Sequence, residues 1–187
     1  MEYAQNYILA RKELNRFYER RFTKYIFKEN DNEIGFFQIR GTLNLEIYGK
    51  FRNHEIEFKY INDDPNSEYI FSPYLGISLL DCKSKECVAQ IKGSLAIDTF
   101  KKVIFENLLS INGDSEYICK IEKKKLSFFE RQLVYNVKKK EDSEVLIRCV
   151  FDNNRNGKFE CSEETDSILF LASFYVLHLF IENYESN

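Results

Sequence analysis

The sequence predicts a mainly β protein with one helix: a closed antiparallel barrel threaded by an apolar C-terminal segment. Three observations carry this. Short runs from residue 22 onward alternate apolar and polar side chains, the pattern of strands with one buried and one wet face. The composition is rich in Phe (17) and Tyr (12) and poor in Gly (7) and Pro (2), and flat rings pack well on a pleated surface. Lastly, "ILFLASFYVLHLFI" (Ile168 to Ile181) is apolar on nearly every side of a helix, so protein or lipid must surround it.

Over the first two dozen residues Tyr3, Tyr7, Leu14, Phe17, Phe22 and Tyr25 recur at roughly helical spacing, with Arg11, Lys12, Arg16, Arg20 and Arg21 between them. This spacing fits an amphipathic helix over residues 1–21, packed on its own domain in preference to a membrane surface, and leaves a strand open as the alternative. Strands follow. In "GTLNLEIYGK" Leu43, Leu45 and Ile47 alternate with Thr42, Asn44 and Glu46, and in "HEIEFKYIN" Ile56, Phe58 and Tyr60 alternate with Glu55, Glu57 and Lys59. "GISLLDCKSKECVAQIKG" reads as two strands around a polar turn at Lys83 to Lys85, and "EYICKIE", "RQLVYNVK" and "SEVLIRCVF" repeat the alternation. "IDTFKKVIFENLL" fits either a short helix or a strand.

The C-terminal helix is expected over residues 163–183, with Ser162 or Thr165 as N-cap and Glu163, Glu164 and Asp166 at the positive end of its dipole. Crossing a bilayer takes roughly 18 or more apolar residues. This run has 14 and contains Ser173 and His178, so a core helix is expected and no transmembrane segment. Strands first and one wholly apolar helix last suit a barrel closed around that helix, because closure also removes exposed sheet edges. No sequence repeat, low-complexity tract or Pro/Gly-rich linker divides the chain, so residues 1–187 are read as a single domain.

Net charge is −3, which gives no general attraction to nucleic acid. The five Cys form no CxxC pair and the two His lie far apart, so zinc-ligand spacing is absent. Cys119, Cys149 and Cys161 sit in alternating apolar runs and read as small core residues. An N-terminus without an apolar h-region, and an odd cysteine count, suit a reduced, cytoplasmic protein, peripheral to a membrane if it meets one. No P-loop, GxGxxG, GxSxG or HExxH is present, so no enzyme and no cofactor are expected.

Two stretches hold candidate sites. "KIEKKKLSFFERQLVYNVKKK", Lys120 to Lys140, carries eight basic and two acidic residues. Lys123, Lys124, Lys125, Lys138, Lys139 and Lys140 either form a basic patch for phosphates or mark polar turns that keep strand edges soluble. "DNNRNGKFECSE" places Asp152, Asn154, Asn156, Lys158 (through its carbonyl), Glu160 and Glu163 at the ligand positions of a calcium-binding EF-hand loop, with Gly157 at the sharp turn. Against the metal, a strand and not a helix precedes the loop, "KFEC" alternates like a return strand, and Asn-Gly is a strong hairpin signal. The hairpin is the favoured expectation.

"ILFLASFYVLHLF", "KYIFKENDNEIGFFQI" and "ISLLDCKSKECVAQI" together resemble the tubby C-terminal-like superfamily, with its LURP-one-related and phospholipid-scramblase branches. The resemblance spans roughly Phe22 to the end and is one of hydropathy pattern. It implies a barrel of about twelve strands around a buried helix. Tubby domains bind phosphoinositide headgroups through basic surface residues, and scramblases are calcium-responsive, with an acidic segment before the C-terminal helix. The resemblance therefore favours a non-enzymatic module for an anionic membrane lipid. The alternatives are a protein-interaction or structural domain without a small ligand, and a calcium-responsive, scramblase-like lipid protein.

Overall fold

The structure is a computed structural model that describes residues 7–12, 23–41, 46–60, 77–94, 105–111, 115–125, 131–142, 144–151 and 156–184. It contains twelve strands and one helix: β1 (Tyr7–Lys12), β2 (Thr23–Glu29), β3 (Asn32–Arg40), β4 (Glu46–Phe51), β5 (His54–Tyr60), β6 (Ile77–Asp81), β7 (Cys87–Ser94), β8 (Phe105–Ile111), β9 (Ser115–Lys125), β10 (Arg131–Lys139), β11 (Val145–Phe151), β12 (Gly157–Cys161) and α1 (Ser167–Tyr184). Every strand pairs antiparallel with its sequence neighbours, and β1 pairs with β12, so the sheet closes. Closure leaves each ladder a partner on both sides.

The expected N-terminal helix is overturned over Tyr7–Lys12, which is the closing strand: Ala10 pairs with Gly157 on one side and with Phe27 on the other. The physical reason is that β2 and β12 each present an open ladder, and pairing both satisfies more backbone groups than one solvated helical turn. Residues 1–6 and 13–22 lie outside the described residues. The ambiguous "IDTFKKVIFENLL" resolves from Phe105 onward as strand β8, whose seven residues all find partners on β9.

The barrel has two rims. At one, hairpin turns are tight: Asn30 and Asp31 both have positive φ (48° and 63°), the geometry of a two-residue type I′ turn. Asp81 accepts bonds from the amides of Lys83 and Ser84 in the β6–β7 turn, and these hold its carboxyl below the usual range. The chain enters the lumen at this rim. The expected N-cap was Ser162 or Thr165, but the helix begins at Ser167 and Asp166 caps it, its Oδ1 accepting from Leu169 N at 2.7 Å. Ser162 and Thr165 are engaged elsewhere: Ser162 N and Thr165 Oγ1 both donate to the Leu146 carbonyl, at 2.8 and 3.1 Å. The turn from barrel wall to barrel axis uses those donors first, which moves the cap onward.

Inside, every residue from Leu169 to His178 is buried. Phe170 stacks on Phe51 at 4.0 Å between centroids and meets Phe27 edge-on at 5.1 Å. One turn further, Phe174 lies 5.1 Å from Tyr25, 4.8 Å from Phe27 and 5.2 Å from Phe37. On another face Tyr175 packs on Phe58. Gly49 lets the helix come close to β4, since a Cβ there would sit 2.8 Å from Leu171 Cδ2. A third face carries polar contacts: Tyr135 Oη donates to the Ser173 carbonyl at 2.8 Å, and Ser173 Oγ donates to the Phe170 carbonyl. That face settles rotation, because an apolar helix in an apolar tube has little else to choose its angle.

Truncating a core ring removes both transfer energy and packing. Phe174→Ala is expected to cost about 3–5 kcal/mol. Tyr135→Phe, which strips one hydrogen bond and keeps the ring, is expected to cost about 1–3 kcal/mol. Urea unfolding followed by near-UV circular dichroism checks both, and a Phe174→Ala protein as stable as the parent would contradict the packing described.

Candidate functional site

The expected basic patch falls on the β9–β10 hairpin. Lys123, Lys124 and Lys125 are the last residues of β9, Lys138 and Lys139 the last of β10, and Lys140 opens the turn to β11. Because the strands are antiparallel, the triplets are at opposite rims. Arg131 pairs with Lys125, whereas Lys138 pairs with Ile118. From Ile118 to Lys124 is six residues along β9, or about 20 Å. The structure therefore does not bring the two triplets together.

On β10 the pleat leaves Lys138 outside the buried set of Tyr135 and Val137. At the same rim Lys139 Nζ meets Glu164 at 2.6 Å and Lys140 Nζ meets Glu116. Both lysines are held above their ordinary values, mainly by the hydrogen bond to that carboxylate. Lys138 is half-buried. Among the described residues, no carboxylate forms an ion pair with it.

Two cations that the run of lysines did not single out fill the gap between the triplets. Asn136, half-buried on β10, has Lys120 opposite it on β9 and Arg148 opposite it on β11. Among the described residues, Lys120, Lys138 and Arg148 are thus outward cations of the β9–β11 wall. Arg148 is in turn opposite Glu160 on β12. Arg148 lay in a run read for its apolar alternation, and only register reveals its place beside the lysines.

The described members of the expected calcium set do not converge. Phe151 pairs with Gly157, so β11 and β12 are antiparallel neighbours; Asp152 and Asn154 lie outside the described residues. Lys158 and Glu160 are in extended β12, with Lys158 Nζ 3.4 Å from the centre of the Tyr7 ring. Glu163 is exposed beyond the far end of that strand. From Gly157 to Glu163 is six residues, about 20 Å if extended, far beyond what one cation spans. Among the described residues no three His, Cys, Asp or Glu side chains cluster as a metal site.

His178 is 3 % exposed and packs against the rings of Tyr25 and Phe37. His54 is exposed and opens β5. Cys119 and Cys149 are buried, Cys161 is half-buried, and all five cysteines are free thiols. No helix among the described residues is long and apolar enough to cross a membrane. No family model matches the chain, and no curated protein or solved structure matches it.

Burial pushes the Cys119 and Cys161 thiols up to about 12, and it raises Cys149 and Tyr135 as well. An unfolded cysteine titrates near about 8.5. A raised folded value means that the native state holds the proton more tightly. This contribution to stability is complete below about pH 8.5 and is lost as pH rises toward about 12. Urea midpoints are expected to be flat from pH 7 to 8 and to fall above pH 9, with Cys119→Ala removing part of the fall. Midpoints that stay level to pH 11 would contradict the burial of these thiols.

Proposed function

We propose that the protein is a non-enzymatic, tubby-like binding module that engages an anionic membrane lipid, of the phosphoinositide-headgroup kind, through surface lysines. The observation that carries the reading is the concentration of cations on one wall of the barrel, β9–β11. The twelve-strand closed barrel with a C-terminal helix is compatible with the tubby-like superfamily and supports the reading without establishing membership. The interior supports it as well: the helix occupies the space that a lumenal ligand or a buried active site would need, which points recognition to the outer surface.

Within that surface the six lysines differ. Lys139 and Lys140 are neutralised by Glu164 and Glu116, so a phosphate would have to displace a carboxylate to reach them. Lys138, which has no ion pair among the described residues, and the exposed Arg148 are the better contacts, with Lys124 a further candidate. Each cation near an anionic surface contributes about 1 kcal/mol.

A second reading has its own observation. Arg148 faces Glu160, and Lys139 and Lys140 face glutamates, the alternation of a solvated wall. It favours a protein-interaction or structural domain without a small ligand. A calcium-responsive mechanism has weaker support, since Lys158 and Glu160 lie in extended β12 and Glu163 lies beyond its far end.

Co-sedimentation with phosphoinositide-containing and neutral liposomes, each in calcium and in EDTA, separates these readings. The lipid reading expects binding to the anionic liposomes alone, in either buffer, weakening with salt because exposed charges are screened within about 10 Å at 0.1 M. Reversing Lys124 and Lys138 to Glu should weaken binding at least about tenfold, and reversing Lys139 and Lys140 should matter less. Absence of binding to any liposome would sink this reading in favour of the second.

A further inference from the structure

The ladder registers shift at three places, and the three are equivalent. Between β2 and β3 the pairing passes from Phe27/Gly35 to Lys28/Glu33, leaving Ile34 over. Between β6 and β7 it passes from Leu79/Ala89 to Leu80/Cys87, leaving Val88 over. Between β10 and β11 it passes from Val137/Ile147 to Lys138/Val145, leaving Leu146 over. Each bulge comes one pair beyond an inward pair, on the return strand, at the rim where the helix enters. Each extra residue is apolar, with Leu146 in the core and Ile34 and Val88 packed against it. Bulges are common at barrel rims. Rim position alone does not put them on β3, β7 and β11, every fourth strand of twelve.

A second set of contacts repeats with the same spacing. Gly35, just after the first bulge, pairs with Phe51, and the next amide, Arg52 N, donates to the Ile34 carbonyl at 2.7 Å. Ile147, just after the third bulge, pairs with Cys161, and the next amide, Ser162 N, donates to the Leu146 carbonyl at 2.8 Å. In both units the bulge carbonyl accepts the amide that leaves the fourth strand.

We infer that the barrel is three tandem copies of one four-strand unit, β1–β4, β5–β8 and β9–β12, and that the bulge carbonyl of each unit is the device that routes the chain at the rim. After the first unit it accepts one donor and the chain turns into β5. After the third it accepts Thr165 Oγ1 as well, and the chain bends inward to become the helix. Side chains at equivalent positions are traded between units: the row Phe27, Gly35 becomes Leu79, Ala89 and then Val137, Ile147. Bulk lost at one position is restored at another, so the register repeats while the residues do not. Equivalent outward positions hold Lys28, Leu80 and Lys138, so the repeat does not extend to the surface charges.

The middle unit supplies the test. Ala89 pairs with Ile111, so the repeat requires the Asn112 amide, which lies outside the described residues, to donate to the Val88 carbonyl. Amide hydrogen exchange by NMR on the unmodified full chain should find Arg52, Asn112 and Ser162 each exchanging at least about tenfold more slowly than an unprotected amide. Exchange of Asn112 at its unprotected rate would overturn the threefold reading. Deletion of Val88 should abolish Asn112 protection and lower the urea midpoint, and a deletion protein that keeps both unchanged would overturn it too. Should the deletion fail to fold, the exchange rates of the unmodified chain still decide.

Discussion

A helix buried on every side from Leu169 to His178 is the constraint on which the molecule depends. In water it would be insoluble, and it is too short to span a bilayer comfortably, so the chain must build its own surroundings. Two packed layers cannot do that, since one side of the helix would stay wet. A tube can, and its bore must match a helix about 10–12 Å across with side chains. The wall responds with aromatic side chains where there is room and Gly49 where there is not. Alternation along each strand, closure at β1–β12 and the inward bulges at the entry rim all serve that one enclosure.

Much of this was legible in the sequence because enclosure leaves a local trace. Strands that bury one face alternate, as in "HEIEFKYIN", and a helix that is buried all round does not, as in "ILFLASFYVLHLFI". What was illegible depends on partners distant along the chain. Nothing within "YILARK" says that β12 and β2 are waiting on either side, and its aromatic and basic spacing suits a helix equally well. The cap moved to Asp166 because Ser162 and Thr165 answer to a carbonyl on β11, a tertiary demand that a cap rule does not contain.

The candidate site shows the same limit. Two lysine triplets in one short segment look like one patch, yet an antiparallel hairpin sends its two halves to opposite rims, and the pleat sorts neighbours onto opposite faces. Counting charge along the chain overstated the lysines and passed over Arg148. Local acids then discriminate among them, since Glu116 and Glu164 each occupy one. Among the described residues, that wall is mixed in sign, with Lys120 and Arg148 on either side of Asn136.

The seam between β1 and β12 also sets a schedule. Ala10 finds Gly157 across 147 intervening steps of the chain. At a synthesis rate of about 5–20 residues per second, roughly 7–30 s pass between the appearance of the first strand and that of its last neighbour. During that time one edge of β1 and the whole apolar lining of an unfinished tube have no partner, and the helix that fills the tube is made after every strand. Contacts of such high sequence separation fold slowly. The order of parts that makes the finished barrel edgeless is the order that leaves its nascent form exposed longest, and it makes the arrival of β12 and the helix after it, not formation of any earlier strand, the event that ends the exposure.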